Sequence, residues 1–251
     1  MSAPRSRPIM TAIFAVMMLA LAVTCVWLGT WQMNRLAEKE ALVAAVDQRL
    51  DADPVPAPAA SDWPTLDLGA FNFQPVSLTG AFRYNQTVTV FTSLANARGP
   101  ASGPGYWVMT PFVLADGGTV FVNRGFVPAE FQAAAVTDAE GDENQVTITG
   151  VLRPSEAAGF MTPEPDSSNR TEWVRDTTRL AAMVDPALAP VAPFYVDMPA
   201  GAPGQLPQGG ETVVDFSNNH LGYAYTWYGF AIVAIVMLGF WLWRQRHPTK
   251  G

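Results

Sequence analysis

Two charge-free apolar runs, one near each end, constrain this chain more than any other feature. Ile9 to Leu28 and Tyr223 to Trp243 contain no Asp, Glu, Lys or Arg. Each is about 20 residues long, roughly 30 Å as a helix, which is the thickness of a bilayer core. No third candidate exists, and the roughly 190 residues between them suffice for one folded domain. The chain is 49% hydrophobic and only 15% charged, low for a soluble protein. The expected fold is a membrane protein, with two transmembrane helices forming a hairpin and carrying one extracytoplasmic domain. The spans are expected at residues 9–30 and 220–243, with the outer domain at 31–219. Residues 1–8 and 244–251 are then cytoplasmic tails.

The first run has the basic entry of a signal peptide, Arg5 and Arg7, but no Ala-x-Ala site follows it. Its exit, Trp27-Leu28-Gly29-Thr30-Trp31-Gln32, is bulky and aromatic like an interfacial belt. Leu21-Ala22-Val23-Thr24-Cys25 is a poor lipoprotein box, so a retained helix is expected. Arg244, Arg246 and Lys250 follow the second run, which puts both termini in the cytoplasm. Arg35 and Lys39 weaken that signal without reversing it. The outer domain then carries most of the net charge of −7, which argues against nucleic acid as a partner. No mitochondrial transit peptide is expected ahead of the first span, which begins by about residue 9. The expected location is a bacterial inner membrane, multi-pass, with a periplasmic main domain. Cys25, the only cysteine, permits no intrachain disulfide and no copper-carrying thiol pair.

The first helix is expected to run past the membrane as an entry segment over residues 31–50, until Asp51-Ala52-Asp53-Pro54-Val55-Pro56-Ala57-Pro58 stops it. Strand alternation follows at Val76 to Phe82, Thr87 to Thr92, Val120 to Asn123 and Val146 to Thr149. Tyr106 to Leu114 is interrupted by Pro111, which predicts an edge strand or a bulge, and Asp116-Gly117-Gly118 signals a hairpin. A helix is expected over Thr177 to Val184 and a last strand over Phe194 to Asp197, then a Pro/Gly-rich return over Pro199 to Gly210. Short strands with frequent Gly and Pro predict a mainly antiparallel β domain, a sandwich or small barrel.

The chemistry narrows to His220, one of two histidines, at the foot of the second apolar run. His247, the other, lies beyond its far end. A polar group there is costly unless it has a role, and imidazole is a common axial ligand of haem iron. At 100° per residue, Ala224, Trp227, Ala231 and Ala234 fall within about 40° of His220, and Tyr223 within about 60°. That stripe suits a flat macrocycle, with its edge over Trp227, and equally suits close packing against another helix. Asn218 and Asn219 are candidate helix caps, and Asn219 a candidate partner for the second imidazole nitrogen. Enzymatic constellations are missing. Between the spans there is no histidine up to His220 at the membrane edge, no nucleophile elbow, no phosphate loop and no His/Cys cluster. The ten methionines are too scattered for copper delivery. Asp138, Glu140, Asp142 and Glu143 read as a solvated acidic loop.

A set of ordered motifs adds a family. They are Leu28-Gly29-Thr30-Trp31-Gln32 with Arg35 and Lys39, Gly105-Tyr106-Trp107-Val108-Met109-Thr110-Pro111, and Val122-Asn123-Arg124-Gly125-Phe126-Val127-Pro128. Gly150-Val151-Leu152-Arg153 and Trp173-Val174-Arg175-Asp176 follow, then Asn218-Asn219-His220-Leu221-Gly222-Tyr223 and Thr226-Trp227-Tyr228-Gly229. In this order, between two spans, they resemble the Surfeit locus protein 1 family of cytochrome c oxidase assembly factors. Phe126 stands where the family usually has Trp. The resemblance implies a non-enzymatic chaperone that binds haem a transiently and assists its insertion into oxidase subunit I. It implies His220 as the axial iron ligand, with Trp227 and Tyr223 beside the ring. Arg35 and Arg124 are candidate cations for the propionates. Subunit I, haem A synthase and the lipid bilayer are the expected partners. The rival reading is a scaffold that never binds haem and grips assembly partners through outer-domain surface aromatics such as Trp63 and Trp107.

Overall fold

The computed structural model describes residues 6–137, 144–212 and 219–246, with side chains from residue 9 onward. Arg5, the acidic run at 138–143, Asn218, His247 and Lys250 lie outside the described residues. The elements in chain order are α1 (Ser6–Leu50), β1 (Val55–Pro56), α2 (Leu68–Phe71), β2 (Pro75–Phe82) and β3 (Val88–Leu94). Then come β4 (Gly103–Leu114), β5 (Thr119–Pro128), α3 (Gln132–Thr137), β6 (Val146–Pro154), β7 (Thr171–Glu172), α4 (Thr177–Ala181), β8 (Val191–Asp197) and α5 (His220–Arg246). Two compact units result: a helical one, Met1–Ala45 with Val214–Gly251, and a β one, Val46–Val213.

In the helical unit, α1 and α5 are each long and apolar enough to cross a bilayer. They pair antiparallel. Thr11 bonds Gln245, Phe14 meets the Trp241 ring at 4.9 Å, and Thr30 and Gln32 reach Tyr228 and His220. The contact face of α5 runs 220, 224, 228, 231, 234, 238, 241 and 245, the i+3/i+4 spacing of one helix face. On α1 it runs through Thr11, Phe14, Ala22, Cys25, Gly29 and Gln32. The buried members of both faces are mostly small, which lets the backbones approach. Large apolar side chains such as Val23, Ile232 and Val236 point outward.

The β unit is built on a closed five-stranded barrel, β2–β6–β8–β5–β4, with β4 returning to pair with β2. Closure removes the exposed edges that an open sheet would leave. Inward-facing Val76, Leu78, Phe112, Val120, Val122, Leu152 and Phe194 fill the barrel. β3 extends from β4 on the outside, carries β7 on its far edge, and builds a second core with Leu180 of α4. The pairing is mainly antiparallel, but β5–β8, β1–β2 and β3–β7 are parallel.

Two expectations are corrected. β4 is no edge strand, since β5 lies along one side and β3 and then β2 along the other. Pro111 fits because its missing N–H falls where the partner changes from β3 to β2, beside the Arg83 N–H that bonds the Pro111 carbonyl. The bulge is earlier, between Trp107 and Met109. Trp63 and Trp107 are not surface aromatics. They are 7% and 6% exposed, within the two cores, because each can place a polar tip or ring edge among internal partners. Trp63 Nε1 donates to the Pro58 carbonyl at 3.0 Å. Exposed Phe91 and Trp173, with half-buried Tyr106, form a row across β3, β4 and the end of β7, Phe91 lying 5.6 Å from Tyr106 and 5.4 Å from Trp173.

Candidate functional site

His220 opens α5 and is half-buried. Its Nδ1 lies 2.7 Å from Gln32 Oε1 on α1. The two meet because Gln32 is one turn beyond Gly29, where α1 packs tightly on α5. A Cβ placed on Gly29 would stand 2.7 Å from the Tyr228 ring. Beside it, Thr30 Oγ1 and the Tyr228 hydroxyl are 3.3 Å apart, and Thr30 also bonds the Val26 carbonyl. Glycine, threonine and glutamine of the first motif thus meet histidine and tyrosine of the last.

Tyr223, Trp227 and Arg35 lie on the same two helices as this contact. Tyr223 is on α5, 59% exposed, its N–H bonded to the Asn219 carbonyl. Trp227 is half-buried and packs its ring edgewise on Phe230 at 6.1 Å. Arg35, one turn beyond Gln32, is exposed, with Nη1 2.8 Å from Glu38 and its guanidinium 5.8 Å from the Trp31 ring centre. The small stripe Ala224, Ala231 and Ala234 faces α1 and is buried. A macrocycle therefore does not lie flat along it while the helices are paired. The α5 surface beside His220 that stays open is the one bearing Tyr223.

Arg124 belongs to the β unit. Its guanidinium sits 4.8 Å from the Tyr84 ring centre, and burial pulls its pKa below the ordinary arginine value. β5 does not end at Asn123, as the alternation suggested, but runs through Arg124 to Pro128. Asn123 donates to Asp197 at 2.8 Å and accepts from Gly125 N. Gly125 has φ +131°, and a Cβ there would meet the backbone of Gln208 at 2.3 Å. Only glycine allows both the conformation and the crossing. The segment leading to α5 is tied down by paired Phe126 and Gln208 backbone bonds. It is also held by the buried Glu211 carboxylate, which accepts from Arg98 N, Gly99 N and Gln208 Nε2.

The Trp173 to Asp176 motif is structural in the same way. Arg175 grips Glu156 through its backbone N, Nε and Nη2, and Asp176 caps α4 by accepting from Thr178 N and Arg179 N. Burial pushes the Glu156 carboxyl up, but the Arg175 and Arg153 guanidinium groups outweigh it and hold the pKa below its usual value. Burial pushes the Tyr195 phenol up. Among the described residues no group of three His, Cys, Asp or Glu side chains is placed to hold a metal ion.

Sequence reasoning missed Gln32 as the partner of the imidazole and offered Asn219, read first as a helix cap, as a candidate for that place. The register and facing of the expected hairpin were the missing information. Once both helices are antiparallel, Gln32 just past the first apolar run comes level with His220 just before the second.

The motifs that meet here match the SURF1 family over residues 19–232. The chain belongs to the SURF1 family. It is 33% identical over 242 residues to a SURF1-like protein of Monosiga brevicollis, covering 91% of this chain and 86% of that protein. It is 31% identical over 228 residues to the human Surfeit locus protein 1, covering 85% of this chain and 72% of the relative. The Drosophila melanogaster SURF1-like protein is 30% identical, over 85% of this chain and 72% of its own length.

Proposed function

We propose that this SURF1-family chain assists assembly of haem–copper cytochrome c oxidase by receiving haem a and handing it towards subunit I. The observation that supports the reading best is the Gln32–His220 contact. It places a half-buried imidazole at the end of a helix pair, with one ring nitrogen engaged and Nε2 making no hydrogen bond among the described residues. The donor set fits a single axial ligand for a haem iron. Haem a is the cargo here, not a reactant, and the chain's work is to bind, orient and release it.

In this reading α1 and α5 span a bacterial inner membrane as a hairpin. Arg244 and Arg246 end α5 on the cytoplasmic side, and the β unit is periplasmic. His220 holds the iron, and Tyr223 and Trp227 contact the ring. Arg35 is the cation nearest in sequence to the contact and balances a propionate once it leaves Glu38. Arg124, desolvated over Tyr84, is the β unit's candidate for the same charge. Haem A synthase is the expected donor and subunit I the expected acceptor.

A second reading has its own support. The small stripe is used for helix packing, and the β unit displays the Phe91, Tyr106 and Trp173 row. Both suit a scaffold that stabilises assembly intermediates without haem. An optical spectrum separates the two. The protein would be purified from cells that make haem a, beside folded His220→Ala. The carrier reading expects a haem a spectrum in the wild type that is lost or strongly shifted in the variant. Absence of haem from both favours the scaffold, and then Trp173→Ala, not His220→Ala, should impair oxidase assembly.

A further inference from the structure

We propose that Gln32 is the positioning residue for His220. It fixes the imidazole as the Nδ1–H tautomer and so makes Nε2 the ligating nitrogen. The inference rests on the carrier reading for its consequence, but its first step concerns the protein without haem.

Gln32 presents Oε1 to the ring at 2.7 Å, and an amide oxygen can only accept. Nδ1 must therefore donate. A neutral imidazole carries one ring proton, so Nε2 then holds the free lone pair. No other described side chain competes for Nδ1. Asn219, the neighbour best placed in sequence, engages α5 through its main-chain carbonyl.

The acceptor is also held in place. Gly29, one turn before Gln32, is pressed to the Tyr228 ring, and Thr30 meets the Tyr228 hydroxyl. These contacts fix the separation and rotation of α1 against α5 at this level, and with them the Gln32–His220 distance. A hydrogen bond from the non-ligating nitrogen orients a metal-bound imidazole and raises the basicity of the other nitrogen. Without Gln32 the ring is free to rotate and to move its proton to Nε2, where it blocks ligation.

The test uses the full chain in lipid nanodiscs with ¹⁵N-labelled histidine. The sequence has only two histidines, and the His220 signals are those missing from His220→Ala. In haem-free wild type, Nδ1 is expected to be the protonated nitrogen and Nε2 the bare one. Gln32→Leu keeps bulk and removes the acceptor, and should shift the proton towards Nε2. Gln32→Glu keeps an acceptor and should keep the proton on Nδ1. When haem a is titrated in, Gln32→Leu should bind ~10–100-fold more weakly, as loss of such a supporting partner usually does, and Gln32→Glu should restore binding. An unchanged His220 tautomer in Gln32→Leu, with the helix pair intact by circular dichroism, overturns the proposal even if haem still binds. The expected tautomer shift without any haem uptake by the wild type upholds the placement of the proton and removes the carrier reading instead.

Discussion

The helix pair and the barrel bury opposite things. The barrel encloses Phe112, Phe194, Leu152 and their neighbours. The helix pair buries Ala22, Cys25, Ala224, Ala231 and Ala234, and turns Val23, Ile232 and Val236 outward. In water the second arrangement would leave a large apolar surface exposed, whereas lipid makes that surface neutral and rewards close packing of small residues. Polar contacts differ likewise. In the β unit they lie within closed networks, such as Glu172 with Arg179 or Asn123 with Asp197. In the helix pair they are isolated cross-helix contacts: Thr11 with Gln245, Thr30 with Tyr228, Gln32 with His220. Polar side chains spread so thinly along an apolar pair mark either its register or its function. The third of them is the contact on which the proposed site rests.

The largest expected effect tests the barrel side of this contrast. Phe112→Ala should destabilise the β unit by about 3–5 kcal/mol, as loss of a fully buried ring does. The same kind of truncation at outward-facing Ile232 should change stability by no more than about 0.5 kcal/mol. Urea unfolding of the full chain in detergent measures both, and equal losses would break the contrast.

Next is the reverse substitution on the helices. Gly29→Leu should weaken the pair by about 1–3 kcal/mol through overpacking against Tyr228. Spin labels at Thr11→Cys and Gln245→Cys, in a Cys25→Ala background, should report a longer or broader distance than in the parent. An unchanged distance would mean that small residues do not set this packing.

The smallest effect is electrostatic and belongs to the β unit. The folded Glu156 carboxyl is held below its usual pKa, so its stabilisation is present above the ordinary glutamate value. It is lost as the pH falls through the lower, folded value. Glu156→Gln should therefore cost stability at neutral pH and less in acid. Glu156 is partly exposed, so the difference is screened to about 1 kcal/mol or less. A difference that grows on acidification would reverse the assignment of Arg175 as its partner.

Much of the fold could be read along the chain, for local reasons. Twenty-residue apolar runs, alternating strands and the Asp116-Gly117-Gly118 turn each follow from a short-range period or a backbone preference. Pro111 misled because its tolerance depends on which strand lies opposite its nitrogen, a fact of pairing and not of sequence neighbourhood. Trp63 and Trp107 misled because the local pattern does not tell a buried indole from an exposed one. Arg124 looked like a strand end because Gly125 breaks the alternation, although β5 continues through it.

The candidate site divides the same way. The sequence by itself determined that His220 is a rare polar group at the foot of an apolar helix, followed by a stripe of small residues. It also determined that the chain has two such helices around one β domain. Only the tertiary structure decided that the stripe faces α1, and that the imidazole answers to Gln32 nearly two hundred residues away. Helical periodicity fixes which side chains share a face. What that face meets is set by the register of two distant segments, and no local period encodes it.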